Sequence, residues 1–493
     1  MYRLNCEITI GTYVFREVHE IEVITSWRTI TDTATVKLPR RARFVRIKDE
    51  NNNSDNENKE TWEVTKLVNV IKSGDEVTIK LGYNDEITPV FIGYVREIKG
   101  RVPIEITCED VMLKYKGLRH RWSKDNALLK DIRNFFANPS EFVSDSAAYA
   151  ERLKQGDLSY AFEFETDEGT KLEDSEIGLG AVAYDNLSSI QILEKLRDDY
   201  GIMSYVKPGE RSEEGLPIMV IGCNPYNMKT EVTKDKKNEK VFHFYGPKGN
   251  VVEDELVYRT EEDFPLTVSY EFHSKQNVVI SSNDEIKDTT GTSVSRGNNS
   301  NTANTGGNGN NSDTSTKNIN DIPQTNIIDT NIAKDRFGNR GEVKRFKYFG
   351  PEKNFTSFDA DSQNVEKVRE EVKNLAYNKL TSIVYNGFRG SMTTFGTPLV
   401  KHGDIVNLNS FYDGMLSKEL VADLKEKDKT TNIEDIVKNG LDYFVDGVTY
   451  QFGVEGFRQV IVLGKRFDVK KPENTTSKQK QETNLIFSRR DTP

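Results

Sequence analysis

The chain has 493 residues and a formal net charge of −10, with 68 basic and 78 acidic side chains mixed along its length. This length predicts two to four domains, and the low hydrophobic share of 35% indicates polar linkers or apolar surface completed by partner subunits. The charge balance argues against duplex DNA as the main ligand and against sequence-specific nucleic acid binding, because phosphate binding needs a concentrated basic face.

The first strand-rich block is predicted at residues 1–115. Alternating runs occur at LNCEITI, REVHEIEVITSW and TDTATVKLP, and again at SGDEVTIKLGY, FIGYVREIKG and VPIEITCED. The polar run DENNNSDNENKE at 49–60 is expected to be a solvated loop. A meander of this kind predicts a small closed or nearly closed β-barrel.

The next segment, residues 116–265, is predicted to be an α+β domain. Helical spacing appears in NALLKDIRNFFAN at 126–138 and again in LSSIQILEKLRDDYG. In the second helix, Asp185 or Ser188 is expected to cap the start and Gly201 to end it. Its shared apolar face is predicted to comprise Ile190, Leu193 and Leu196. Two short strands, IMSYVK and PIMVIG, are expected beside it.

A second β-barrel domain is predicted at 266–467. Its polar segment 281–325 is dominated by Asn, Ser, Thr and Gly and is expected to be a mobile loop. A helix is predicted at 362–382, and a charged insertion spans 417–440. The remaining residues, 468–493, are predicted to be an extended tail. The sequence therefore predicts a β-rich, multidomain α+β protein with two similar small barrels around an α+β domain.

An internal repeat relates the two β-rich blocks. SGDEVTIKLGY, FIGYVREI and VPIEITCED in the first block match HGDIVNLNSFY, YFVDGVTYQF and FRQVIVLGKR in the second. The second strand of each set has an internal glycine, Gly93 and Gly447, which we take as a matching pair. The shared strand-opening turn comprises Gly74, Asp75 and Val77 in the first block and Gly403, Asp404 and Val406 in the second.

The tripeptide His402-Gly403-Asp404 allows two interpretations. An imidazole and a carboxylate joined by a tight turn could form part of a catalytic site, or the segment could reverse the chain and open a strand. The repeat favours the turn, because the residue corresponding to His402 is Ser73. Glycine permits positive φ and aspartate accepts hydrogen bonds from nearby backbone N–H groups, which suits a turn. An exposed contact with a partner is the remaining alternative for His402.

Motifs for catalysis, metals and cofactors are sparse. The five histidines (His19, His120, His243, His273 and His402) lack the spacing of a zinc site, and there is no CxxC, GxSxG, P-loop or GxGxxG. Paired carboxylates for glycoside hydrolysis remain open, since acidic residues are plentiful. We predict no catalytic, cofactor-binding or metal-binding residue and no enzyme activity.

Two features bear on location and partners. Three distant cysteines, Cys6, Cys108 and Cys223, fit a reduced cytosolic protein. The N-terminus alternates like a strand, and we read no secretory signal in it. There is no run of 18 apolar residues, so no membrane span is predicted. The cluster KGLRHRWSK at 116–124 is either a solvated connector or a partner contact. The candidate partner contacts are Arg119, Arg121 and Trp122 there and Leu485, Ile486 and Phe487 in the tail.

The order of these phrases resembles a known family. SGDEVTIKLGY, FIGYVREI and PIEITCED, then ILEKLRDDYGIMSYV, then FRGSMTTFGTPLVKHGDIVNL and the strands after it are similar to the late control protein D family, the baseplate hub proteins of contractile phage tails and related injection systems. The resemblance covers most of 1–467 outside 281–325. The polar loop, the 417–440 insertion and the tail depart from it.

The resemblance implies a homotrimer whose six barrels form a ring between a sixfold tail tube and a threefold spike. Tube, spike and possibly tape-measure or other baseplate proteins are the implied partners, with DNA or an effector passing through a channel. The implied location is the virion tail, the baseplate or an injection particle, assembled in the bacterial cytoplasm. The net charge of −10 predicts a negative lumen. The alternatives are a tail-associated hydrolase or carbohydrate-binding protein acting on the host envelope, and a self-standing binding module.

Overall fold

The computed structural model describes most of the strand-rich blocks and part of the segment between them. The described residues are 3–39, 44–46, 71–116, 119–129, 131–132, 163–165, 178–213, 215, 217–222, 240–259, 266–273, 279–281, 342–348, 387–409, 418, 421–422 and 440–467. The predicted loop at 49–60, the predicted helix at 362–382 and the predicted tail at 468–493 lie outside them, as do most of 281–325 and 417–440. Among the described residues the protein is β-rich with few helices.

The N-terminal unit is built from eight strands. They are β1 (Leu4–Ile10), β2 (Tyr13–Phe15), β3 (Glu20–Ser26), β4 (Thr33–Leu38), β5 (Phe44–Arg46), β6 (Glu76–Tyr83), β7 (Glu86–Lys99) and β8 (Ile104–Glu109). Alternation in the sequence matches alternation in burial, because successive side chains of a strand point to opposite faces. In β1, for example, Cys6, Ile8 and Ile10 are buried while Glu7 and Thr9 are half-buried.

The middle domain follows the N-terminal unit. Its elements are α1 (Met112–Lys116), β9 (Arg119–Leu128), β10 (Glu163–Glu165), β11 (Gly178–Ser188), α2 (Ser189–Tyr200), β12 (Met203–Arg211) and β13 (Pro217–Gly222). β10, β13 and β12 form a three-stranded sheet, and β9 pairs with β11. The strands predicted from IMSYVK and PIMVIG are β12 and β13; they pair with each other, and β12 contacts α2.

Helix α2 has the ends that its sequence predicts. Ser188 is the N-cap and forms a capping box with Gln191, and Gly201 ends the helix with a φ of 71°. The buried residues are Ser189, Ile192, Leu193 and Leu196. The apolar face is therefore rotated from the predicted one, and Ile190 is only half-buried.

The helix predicted at 126–138 is wrong at its start. β9 continues to Leu128, and helical backbone is found only at 129 and 131–132 among the described residues of this segment. Pairing with β11 explains the difference, because Ala127 and Leu128 lie opposite Gly180 and Gly178. Tertiary pairing here outweighs the helical spacing.

The remaining strands belong to the C-terminal unit and a separate small sheet. They are β14 (Lys240–His243), β15 (Val251–Asp254), β16 (Val257–Arg259), β17 (Leu266–His273), β18 (Val279–Ser281), β19 (Glu342–Tyr348), β20 (Gly387–Phe395), β21 (Ile405–Asn409), β22 (Leu441–Gly453) and β23 (Gly456–Arg466). β18, β17 and β19 form the small sheet. The sequence pattern groups 240–259 with the α+β domain, but here β14 pairs with β21, and β15 and β16 pair with β20.

The two β-rich blocks share one sheet of 15 strands. Its order is β15-β20-β23-β22-β3-β4-β8-β7-β6-β1-β2-β5, with β14, β16 and β21 off this path. The blocks meet where β22 pairs antiparallel with β3, from Gly447 opposite Ser26 to Gly453 opposite Glu20. No closed barrel is found among the described residues, where the two blocks form a continuous sheet; the two separate barrels expected from the sequence are not confirmed there.

One apolar core runs beneath both units. Its fully buried members include Ile8, Phe15, Val77 and Phe91 from the N-terminal unit and Phe242, Tyr443, Tyr450 and Phe457 from the C-terminal unit. A second core, in the middle domain, contains Leu193 and Leu196 of α2. In the described parts of the chain no helix is long and apolar enough to cross a membrane.

Candidate functional site

The first strand-opening turn lies before β6. Gly74 has a φ of +91° and donates its N–H to the Val95 carbonyl at 2.8 Å. Val95 in turn donates to the Asp75 carbonyl at 2.9 Å. The Asp75 carboxylate accepts from the Lys72 N–H at 2.7 Å. These bonds close the turn and fix the start of β6 against β7.

The second turn, before β21, repeats the same hydrogen bonds. Gly403 has a φ of +79° and donates to the Val445 carbonyl at 2.8 Å, and Val445 donates to the Asp404 carbonyl at 2.9 Å. The Asp404 carboxylate accepts from the Lys401 N–H at 2.6 Å. It also binds the Lys240 ammonium at 2.5 Å, which ties β14 to this turn.

These bonds define the register of the duplication and change one predicted match. Val95 and Val445 occupy the same place, and each is followed by a register shift between strands. Gly93 lies opposite Val77, whereas the residue opposite Val406 is Tyr443. Gly93 and Gly447 are therefore not equivalent, because insertion 417–440 hides the true spacing in the sequence. Gly447 instead corresponds to Glu97.

The duplication extends over five strands of each unit. In the N-terminal unit the strand order is β3-β4-β8-β7-β6. In the C-terminal unit the order is β15/β16-β20-β23-β22-β21, with β15 and β16 together at the position of β3. The pairing agrees residue by residue. Cys108 of β8 lies between Val95 and Ala34, and the equivalent Leu463 of β23 lies between Val445 and Gly390. The repeated motif is thus a complete sheet unit rather than a short turn.

His402 lies where the two units and the middle domain meet. Its side chain is 1% exposed, and its Nε2 lies 3.1 Å from the Val206 carbonyl of β12. The Tyr205 ring meets the imidazole edge-on at 5.5 Å between centroids. The Asp32 carboxylate of the N-terminal unit is 4.0 Å from Nε2. Burial lowers the pKa of His402 to about 4, so the ring is neutral near pH 7.

A pair of buried aspartates completes this junction. Asp32 donates its N–H to the Asp110 carboxylate at 2.7 Å and accepts from the Ser26 N–H at 3.0 Å. Asp110 also accepts from the Met112 N–H at 2.9 Å, at the start of α1. Burial raises the pKa of Asp110 to about 7. Burial, together with the neighbouring Asp110, raises the pKa of Asp32 well above its ordinary value. Both carboxyls are buried and accept hydrogen bonds from backbone N–H groups, so they link the elements that meet here.

The seam between β22 and β3 has a polar clasp. Asp446 accepts from the Trp27 indole N–H at 3.0 Å and from the Arg28 guanidinium at 2.6 Å. The Ser26 hydroxyl donates to the Asp446 carbonyl at 3.1 Å. Arg28 also stacks over the Trp27 ring, 4.7 Å from its centroid. Asp446 corresponds to Arg96 in the N-terminal unit, where the partner is Glu109.

The predicted partner-contact residues have internal contacts where they are described. Arg121 and Asp185 form an exposed ion pair at 2.8 Å, and Arg119 donates to the Asn186 carbonyl at 3.2 Å. The Trp122 and Tyr184 rings lie 5.8 Å apart between β9 and β11. Leu485, Ile486 and Phe487 lie outside the described residues.

Several junction residues were missed from the sequence. Trp27, Arg28 and Asp446 come together only because β3 and β22 pair, and they are more than 400 residues apart in the chain. Asp110 had a usable signal, an acid directly after the buried strand β8. In the part of the chain that is described, no group of three His, Cys, Asp or Glu side chains could hold a metal ion.

No family model matches the sequence, and no curated protein matches it. Among solved structures, the chain is similar to the 43 kDa tail protein of prophage MuSo2 from Shewanella oneidensis, at 11% identity and a TM-score of 0.41 over 93% of this chain and 97% of that chain. It is similar to a tail protein from Neisseria meningitidis, at 10% identity and a TM-score of 0.45 over 94% and 97%. A third is an E. coli component of the type VI secretion system, at 6% identity and a TM-score of 0.37 over 94% and 80%. The first two are described as tail proteins, and the third as similar in structure to tail proteins of bacteriophage T4.

Proposed function

We propose that three copies of this chain form the ring-shaped hub of a contractile tail or related injection particle. The hub joins a sixfold tail tube to a threefold spike and leaves a channel for DNA or an effector. It acts by assembly and without catalysis. It belongs to the virion tail or injection particle and is assembled in the bacterial cytoplasm.

The observation that carries the proposal is the paired sheet unit. Each chain contains two copies of the same five-strand order, opened by the same turn and joined edge to edge by β22 and β3. Three chains in cyclic symmetry would then present six near-equivalent units. The approximate sixfold symmetry of such a ring suits a sixfold partner on the face where the units are alike. The ring matches a threefold partner on the face where they differ.

The buried junction supports a rigid, non-catalytic part. His402, Asp32 and Asp110 are the titratable groups with the most unusual surroundings described above, and all three are shielded from solvent. A general acid or base must reach the proton it transfers, so these groups have no substrate to act on. Their contacts instead fix the two units and the middle domain in one arrangement.

The test is assembly with the partners encoded by the same genome. The purified chain is mixed with the tail tube protein and with the spike protein, and complexes are isolated by size-exclusion chromatography. We expect three hub chains in complex with a spike trimer and separate binding to the tube ring. Failure to bind either partner contradicts the proposal. Release of peptidoglycan or glycan fragments by the purified chain would favour the hydrolase alternative.

A further inference from the structure

Strand β22 pairs with a different strand along each of its halves, whereas among the described residues only the first half of β7 has the matching partner. The first half of β22 pairs with β21, and its second half, from Gly447 onward, pairs with β3. The first half of β7 pairs with β6 as far as Tyr94. In the described part of the chain, no strand pairs with 97–99 on the side opposite β8.

The counterpart of β3 in the C-terminal unit is also an edge. β15 and β16 take the place of β3 beside β20 and lie at the end of the sheet path. Val252 and Val257 there are 50% and 55% exposed. An exposed, apolar strand edge invites another strand, and proteins normally cover or block it.

The register of the missing pair follows from the duplication. Thr449 corresponds to Lys99. Thr449 lies four positions after Val445 and Lys99 four positions after Val95, and each valine carbonyl accepts a hydrogen bond from the N–H of its turn glycine. Val257 corresponds to Ile24. Val257 lies opposite Arg389, which precedes Gly390, and Ile24 lies opposite Thr33, which precedes the equivalent residue Ala34. Within the chain, Thr449 lies opposite Ile24.

We propose that 97–99 of β7 pair antiparallel with β16 of the next copy of this chain, with Lys99 opposite Val257 and Ile98 opposite Tyr258. This assignment rests on the proposed ring and names the edges that close it. It repeats between chains the contact that β22 makes with β3 within a chain. A head-to-tail contact of this kind closes into a ring when the rotation per subunit is 120° for three copies.

The side-chain pattern of the proposed pair matches that of the seam. Val448 and Thr25 are buried in the seam, and their counterparts Ile98 and Tyr258 already pack against the main core. On the outer face of the seam, Thr449 is half-buried and Ile24 is 46% exposed. Their counterparts in the proposed pair are similar, since Lys99 is half-buried and Val257 is exposed. Pairing therefore extends the core on one face and leaves Lys99 on the outer face, where its ammonium binds the Glu105 carboxylate.

Cysteine cross-linking tests the register. Opposed residues of an antiparallel pair have Cα atoms about 4.5–5.5 Å apart, within the span of a disulfide. The double variant Lys99→Cys/Val257→Cys should form covalent trimers on mild oxidation, seen by non-reducing gel electrophoresis. The matched control is Thr449→Cys/Ile24→Cys, the same rung within one chain, which should cross-link without any increase in mass. The shifted variant Lys99→Cys/Glu255→Cys should not cross-link between chains.

The mass of each variant in solution separates this inference from the proposed function. A trimer by light scattering that is cross-linked at Lys99→Cys/Val257→Cys supports both. A trimer that stays uncross-linked, while the control pair closes, overturns the strand assignment and leaves the hub intact. A chain that is monomeric at all concentrations tested overturns both.

Discussion

Gly74 and Gly403 both have a backbone conformation that favours glycine, and at Gly74 space is not a further reason. Their φ angles are +91° and +79°, and a Cβ added at Gly74 would meet no atom within 4 Å. A side chain would therefore cost only the backbone strain of the left-handed region, about 1–2 kcal/mol. Steric crowding adds nothing at the first turn.

Replacing either turn glycine should weaken the fold. Gly74→Ala is expected to lower the free energy of unfolding by about 1–2 kcal/mol, and Gly403→Ala, at a buried position with a similar φ, by at least as much, measured by urea denaturation. Gly100→Ala is the control, because that exposed site has open space and no positive φ. An equal loss in the control would mean that φ is not the cause.

His402 and Ser73 occupy the same slot of the duplicated turn but have different surroundings. Ser73 is exposed and donates its hydroxyl to the Arg96 carbonyl at 3.0 Å, whereas the His402 ring is buried between β12 and Asp32. His402→Ser should therefore cost about 2–3 kcal/mol through the cavity it leaves. Ser73→Ala should cost about 0.5 kcal/mol or less. Equal costs in thermal or urea unfolding would contradict a role for His402 at the junction.

Asp110 predicts a specific pH dependence of stability. Its pKa is raised from 3.8 to about 7, so the folded chain holds this proton more tightly than the unfolded chain. The group is neutral in both states well below pH 3.8, and the free energy of unfolding falls as the pH rises toward about 7. His402, whose pKa is lowered to about 4, acts in the opposite sense and costs stability as the pH falls below 6.5.

Removing the Asp110 charge should therefore flatten the loss of stability between pH 4 and pH 7. We expect Asp110→Asn to be least stable relative to the parent at low pH and to gain on it as the pH rises toward about 7. Asp198→Asn, at an exposed position on α2, is the control and should follow the parent curve. Parallel curves for Asp110→Asn and the parent would mean that the buried aspartate holds no extra proton.

At the scale of elements, the seam between β22 and β3 joins the two units. Asp446 anchors it through Trp27 and Arg28, and burial raises the pKa of Asp446 even beside that arginine. Asp446→Ala would leave the buried indole N–H without this acceptor, at a cost of about 1–3 kcal/mol. The measurement is urea denaturation against Glu455→Ala in the adjacent hairpin. If the control lost as much free energy of unfolding as Asp446→Ala, the contacts of Asp446 would not be what stabilises the seam.

Local patterns predict single elements well and their assembly poorly. LNCEITI is strand β1 residue for residue, and the caps of α2 follow from Ser188 and Gly201, because alternation and capping are local signals. The helix start at 126–128 fails because pairing with β11 decides the backbone there. The continuous sheet could not be predicted, since the pairing of β22 with β3 joins segments more than 400 residues apart.

The candidate site follows the same division. The turn residues Gly74, Asp75, Gly403 and Asp404 stand out by local chemistry and repetition. Asp32 and Asp446 do not, since their importance comes from neighbours supplied by other elements. Equating Gly93 with Gly447 was wrong for a related reason, because a shared residue type in two strands does not give their register.

For the whole molecule, the two joined units leave two edges that no other described strand of the chain covers. One is at the exposed valines of β15 and β16, and the other is at 97–99 of β7, at the opposite end of the duplicated arrangement. A closed ring covers such edges without a new kind of contact. The net charge of −10 further predicts a negative channel wall that repels a negatively charged cargo such as DNA.

Single-particle electron microscopy of the purified chain tests the central claim most directly. We expect a particle of three 56.2 kDa chains with threefold symmetry. Six similar β-rich lobes should surround a central channel. A compact monomer, a twofold dimer or a trimer without a channel would contradict it.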